Sequence, residues 1–135
     1  MAISTVPYAL VVDDDVLVRL DARGILEDAG FRCYEAETGD AAKQVLGEMG
    51  ARIILLFTDV QMPGSVDGFA LARWTDDNWP EVEIVVASGG VKPSPGDLPD
   101  KATFIAKPFD AGVVHSHLAK TLPDGKKPEP LKKAV

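Results

Sequence analysis

The stretch Arg52–Asp59, RIILLFTD, decides the fold. Ile53 to Phe57 are apolar without alternation, the pattern of a strand buried on both faces. The run ends abruptly in a carboxylate, Asp59. Working outward, the same grammar recurs. Tyr8–Val12 is a short apolar run that stops at Asp13, Asp14 and Asp15. Val82–Ala87 reads as a further strand and stops at Ser88, and Thr103–Ala106 as another that stops at Lys107. Phe31–Ala36 completes a set of five strands.

Between the strands the period changes to that of a helix. Val18, Ala22, Ile25, Leu26 and Ala29 share one face, and Gly30 is a natural stop. Gly39–Met49 carries the stripe Ala42, Val45, Leu46 and Met49. Gly68–Asn78 turns Phe69, Leu71 and Ala72 inward, with Trp74 and Trp79 as packing residues at its end. Asp110 is placed to cap a last helix reaching about Leu122, and Asp15 to start the first. Strands alternating with helices imply an α/β protein with a doubly wound, five-stranded parallel sheet. In such sheets the site lies beyond the carboxyl ends of the strands. Asp13, Asp14, Asp59, Ser88 and Lys107 all obey that rule.

Composition narrows the functional classes. The chain has 135 residues, which suits one domain, and 46% are hydrophobic, enough for a core. A net charge of -7 argues against a nucleic-acid partner, which needs clustered cations. Cys33 is the single cysteine, which excludes an internal disulfide and reads as a small apolar residue in a strand. His115 and His117 are two apart on a helix, do not share a face, and offer neither a metal site nor a phosphoacceptor. No signal peptide and no apolar run of membrane-spanning length is present, so no membrane partner and a cytoplasmic location are expected. Residues 123–135, rich in Pro, Lys and Gly without apolar period, read as a disordered polar tail beyond a domain of residues 1–122.

Four segments, LVVDDD, FTDVQMPG, VVAS and IAKPF, occur in order at the strand ends. Together they resemble the signature segments of response-regulator receiver domains of two-component signalling, across residues 7–122. The resemblance implies a flavodoxin-like strand order 2-1-3-4-5 and a phosphorylation-dependent switch. It implies Asp59 as phosphoacceptor, receiving its phosphoryl group from a histidine kinase or a histidine phosphotransfer protein. It implies Mg²⁺ held by Asp14 and Asp59, by Asp13 through water, and by the backbone carbonyl of Gln61. Lys107 and Ser88 would contact phosphoryl oxygens, and Phe104 sits where the family often has an aromatic that changes rotamer. The Lys107–Pro108 bond would be cis. The chemistry agrees with these residue types. A carboxylate can attack phosphorus, the transferred group needs cations and donors, and Mg²⁺ prefers oxygen ligands.

Two departures from the family stand out. MPGSVDG is one residue longer than the common form, which predicts a bulge near Ser65. Pro93, Pro95 and Pro99 fall where the family has its fourth helix. Proline costs about 3 kcal/mol inside a helix, so residues 89–101 are expected to be irregular and that helix degenerate or absent. Such a domain promotes its own phosphotransfer and dephosphorylation without being an enzyme in the usual sense. Its output is expected through a downstream protein target or as a phosphate sink, since no effector segment follows. A haloacid-dehalogenase-like phosphatase is the competing enzyme reading, but that class generally has an acid two residues after its nucleophile, where this chain has Gln61. A flavodoxin-like binding module would need a phosphate-cradling loop after the first strand, which here is acidic. A receiver fragment of a hybrid histidine kinase is the remaining alternative.

Overall fold

A computed structural model describes residues 6–132. The parallel sheet holds β1 (Tyr8–Val12), β2 (Arg32–Ala36), β3 (Ile53–Asp59), β4 (Glu83–Ser88) and β5 (Thr103–Ala106) in the order 2-1-3-4-5. The helices are α1 (Val16–Asp28), α2 (Gly39–Met49), α3 (Gly68–Asn78), α4 (Ala111–Thr121) and a short α5 (Glu129–Lys132).

Strand side chains alternate across the sheet, so each central strand feeds two cores. On one face Val11, Phe57, Val85 and Ile105 pack with Ala22 and Leu26 of α1 and Val114 and Leu118 of α4. On the other, Leu10, Leu56 and Ile84 pack with Ala42 and Leu46 of α2 and Leu71 and Ala72 of α3. That double burial is why IILLF has no polar alternation. Each of these four helices starts at a side-chain cap. Asp15, Thr38, Asp67 and Asp110 accept hydrogen bonds from first-turn amides.

Residues 89–102 contain no helix, as the prolines require. The segment is nevertheless tied down. Arg73 Nη1 donates to Asp97 O at 2.7 Å, Asp97 Oδ2 accepts from Ser94 N at 2.7 Å, and Lys101 pairs with Asp76 at 3.5 Å. Val91, Leu98 and Ala102 pack with Phe104 against the α2–α3 core. The chain after Asp59 bends at 63–65, where Gly64 has φ 98.

The expectation of a disordered tail from residue 123 needs correction. Residues 124–126 form a 3-10 turn, α5 follows, and Leu131 is only 3% exposed in the α1–α4 core. Lys126 Nζ donates to Glu81 O at 2.5 Å and Glu83 Oε2 at 3.2 Å. The segment lies over Gly30, whose φ is 107 and where a Cβ would come within 2.6 Å of Pro128. One apolar residue among lysines and prolines has no period to read, yet it suffices to dock the segment. Residues 1–5 of the expected domain and 133–135 of the expected tail lie outside the described residues.

The remaining singled-out residues are structural. Trp79 lies against Gly50, and Lys43 sits over Trp74 at 5.2 Å from the ring centre. Cys33 is half-buried, and burial pushes its thiol up to about 12. His115 Nε2 meets Ile25 O at 2.8 Å, and His117 Nε2 meets Thr103 Oγ1 at 2.7 Å. Among the described residues no helix is long and apolar enough to cross a membrane.

Candidate functional site

The carboxyl ends of β1, β3, β4 and β5 converge on one small polar cluster. β1 runs straight into Asp13, whose side chain is 7% exposed, and β3 ends at Asp59, whose side chain is 11% exposed. Asp14 is exposed beside them. One carboxylate oxygen from each of Asp13, Asp14 and Asp59 lies within 4.8 Å of the others. Lys107, delivered by the end of β5, bridges two of them. Its Nζ donates to Asp59 Oδ1 at 2.9 Å and to Asp13 Oδ2 at 3.1 Å. The Lys107–Pro108 peptide is cis, as the resemblance implied.

The electrostatics follow from this crowding. Burial is the main influence that raises the Asp59 carboxyl above the usual range; the neighbouring Asp13 adds to it and the Lys107 hydrogen bond opposes it. Burial lowers the Lys107 ammonium, but the hydrogen bonds it donates to Asp59 and Asp13 outweigh that and hold the group above its ordinary value. Three carboxylates against one ammonium leave an excess of two negative charges. An all-oxygen donor set with that excess fits a hard divalent cation such as Mg²⁺.

Ser88 closes the far side. It ends β4, is 3% exposed, and its neighbour Ala87 is paired with Asp59 in the sheet. Its Oγ accepts from Val91 N at 3.1 Å, which leaves the hydroxyl proton available to donate elsewhere. Gln61 lies in the exposed loop after Asp59. Phe104 is half-buried and paired with Val86, so it belongs to the sheet face under residues 91–102 and not to the carboxylate cluster.

Three supporting residues escaped the sequence reading. A Cβ on Gly68 would sit 2.0 Å from Asp59 O, so only glycine lets α3 start against the end of β3. Its amide donates to Val60 O at 2.8 Å. Thr58, fully buried, donates its hydroxyl to Asp59 O at 2.9 Å. Arg19 Nη1 donates to Asp13 O at 2.9 Å. Their only sequence signal was residue type, since each depends on a contact between separate elements or on exact backbone placement.

Five parallel strands in this order, with acids, a hydroxyl and a lysine at their carboxyl ends, define a receiver-type signalling domain. The model of the response regulator receiver domain family matches residues 9–119, and the chain belongs to that family. It is 30% identical over 105 residues to the sensor kinase CckA of Brucella abortus, covering 74% of this chain and 11% of that protein. It is 36% identical over 107 residues to the nitrogen assimilation regulatory protein NtrX of Azorhizobium caulinodans, covering 76% and 23%. The chain therefore spans under a quarter of either relative. The crystal structure of the receiver domain from the hybrid histidine kinase CckA is similar at 28% identity and TM-score 0.71, covering 86% of this chain and 99% of that one. The signal receiver domain of a signal transduction histidine kinase from Syntrophus aciditrophicus is similar at 27% identity and TM-score 0.74, covering 86% and 89%.

Proposed function

We propose that the domain accepts a phosphoryl group on Asp59 from a phosphohistidine of a histidine kinase or phosphotransfer protein, and passes the signal to a protein target. The observation that carries this reading is the sharing of Lys107 between Asp13 and Asp59 beside Asp14, at the ends of β1, β3 and β5. In the transfer, an Asp59 carboxylate oxygen bonds to phosphorus as the phosphorus–nitrogen bond breaks, and the departing imidazole keeps the electron pair. Asp14 and Asp59, with Asp13 through water and the Gln61 carbonyl, would hold Mg²⁺, which when bound neutralises charge on the transferred oxygens. Lys107 is freed from Asp59 to pair with a phosphoryl oxygen as a point charge. The Ser88 hydroxyl donates to another, and Phe104 repacks under the residue 91–102 segment as Ser88 moves. The domain also promotes loss of the phosphoryl group to water.

Similarity to the sensor kinase CckA supports a kinase-fed reading, and we place the domain in the cytoplasm. Incubation with Mg²⁺ and a small phosphodonor should add one phosphoryl group, visible by intact mass. Asp59→Asn should abolish it. Labelling of that variant to the native extent would refute the assignment.

A further inference from the structure

The turn that carries Asp13 and Asp14 is held from outside the carboxylate cluster. Asp13 N donates to Ala36 O at 3.1 Å, and Arg19 Nη1 donates to Asp13 O at 2.9 Å. Peptide units are planar. The first bond fixes the plane before the Asp13 Cα, and the second fixes the plane after it, which contains the Asp14 N and Cα. Both backbone torsions of Asp13 are thereby restrained, and with them the direction in which the Asp13 side chain leaves the chain and the position from which that of Asp14 departs.

Arg19 is itself oriented. Its Nε donates to Glu35 Oε1 at 2.9 Å, and the two side chains are 16% and 22% exposed. Glu35 sits on β2 opposite Val11 of β1, and its other oxygen meets Arg23 Nη1. A continuous chain of contacts thus runs from β2 through Glu35 and Arg19 to the Asp13 carbonyl. Lys107 cannot do the same work, because it binds the carboxylate oxygens and so competes with a cation for Asp13 Oδ2 and Asp59 Oδ1.

We propose that Arg19, oriented by Glu35, is a positioning residue for the cation site. It keeps the Asp13 and Asp14 carboxylates converged against their mutual repulsion without occupying a ligand atom. This rests on the cation-site reading above. The expectation is that its loss weakens Mg²⁺ binding while leaving the chemistry at Asp59 intact.

Calorimetric titration of the full chain with MgCl₂ provides the test, paired with labelling by a small phosphodonor. Arg19→Gln should weaken Mg²⁺ affinity roughly tenfold, the usual cost of losing a partner that orients metal ligands. Its labelling rate at saturating Mg²⁺ should stay native. Arg19→Lys should recover part of the affinity. Arg23→Gln removes the other cation from Glu35 but touches no atom of the turn, and should bind Mg²⁺ as the native chain does. Glu35→Gln, which leaves Arg19 in place but loosely aimed, should give a smaller weakening and serves if Arg19→Gln misfolds. Native affinity in both Arg19→Gln and Glu35→Gln would overturn the proposal, as would equal weakening by Arg23→Gln. A native chain that binds no Mg²⁺ would sink the cation-site reading and this inference with it, an outcome distinct from native binding that the variants leave unchanged.

Discussion

Asp14 is the exposed member of the carboxylate cluster, yet it is expected to matter as much as its buried neighbours. A divalent cation at such a site needs carboxylate charge more than burial, because water supplies its other ligands. Asp14→Ala should therefore abolish Mg²⁺ binding by calorimetry with little change in fold stability, and unchanged affinity would exclude the residue as a ligand. Glu35 makes the opposite case, a charge that serves structure. The hydrogen bond from Arg19, aided by Arg23, holds its carboxyl below the usual range. A carboxyl depressed on folding stabilises the fold above its unfolded pKa, and that contribution fades as pH falls through its folded pKa. The native chain should exceed Glu35→Gln by roughly 0.5–1 kcal/mol at neutral pH. The gap, followed by urea unfolding, should close on acidification below the ordinary carboxyl range. A gap that stays constant with pH would show that charge is not its source.

At the scale of elements, the departure with consequence is the helix-free stretch 89–102 between β4 and β5. Its prolines prevent a helix, and its anchors include exposed contacts to α3, the apolar packing of Val91, Leu98 and Ala102, and the bond from Val91 N to Ser88 Oγ. That last bond attaches the segment to the very hydroxyl expected to turn toward a phosphoryl group. Movement of Ser88 would then release Val91 and loosen the packing of Leu98 and Phe104 beneath it. Amide exchange across 89–102 should change on adding beryllofluoride with Mg²⁺. Identical exchange with and without it would mean that the segment does not report the switch.

For the whole molecule, the last residues close the end of the sheet opposite the carboxylate cluster. Leu131 fills the α1–α4 core while Lys126 ties the segment to Glu83. We take residues 1–122 as the domain proper, to which this segment adds a lid. Removing residues 123–135 should leave a cooperative fold that still accepts a phosphoryl group. The deletion should lower stability by about 2–3 kcal/mol, the worth of burying one leucine side chain with its neighbours, read from the urea midpoint. An unchanged midpoint would deny the segment any part in the core.

The sequence by itself determined the five strands, the four longer helices and the positions of the candidate site. The reason is local: IILLF, YALVV and EIVVA are buried on both faces, and the acid or hydroxyl that ends each strand lands at the carboxyl edge of the sheet. The prolines of 89–102 were equally legible, because proline acts on its own backbone and its neighbour's. Only the tertiary structure decided what depends on two distant elements meeting. Arg19 reaches Asp13 O because β2 carries Glu35 beside α1, Gly68 is required because α3 begins against Asp59, and Leu131 docks because Gly30 leaves room for Pro128 and Pro130. None of these has a periodic signature, since each is a single residue whose partner is chosen by packing and not by its neighbours in the chain.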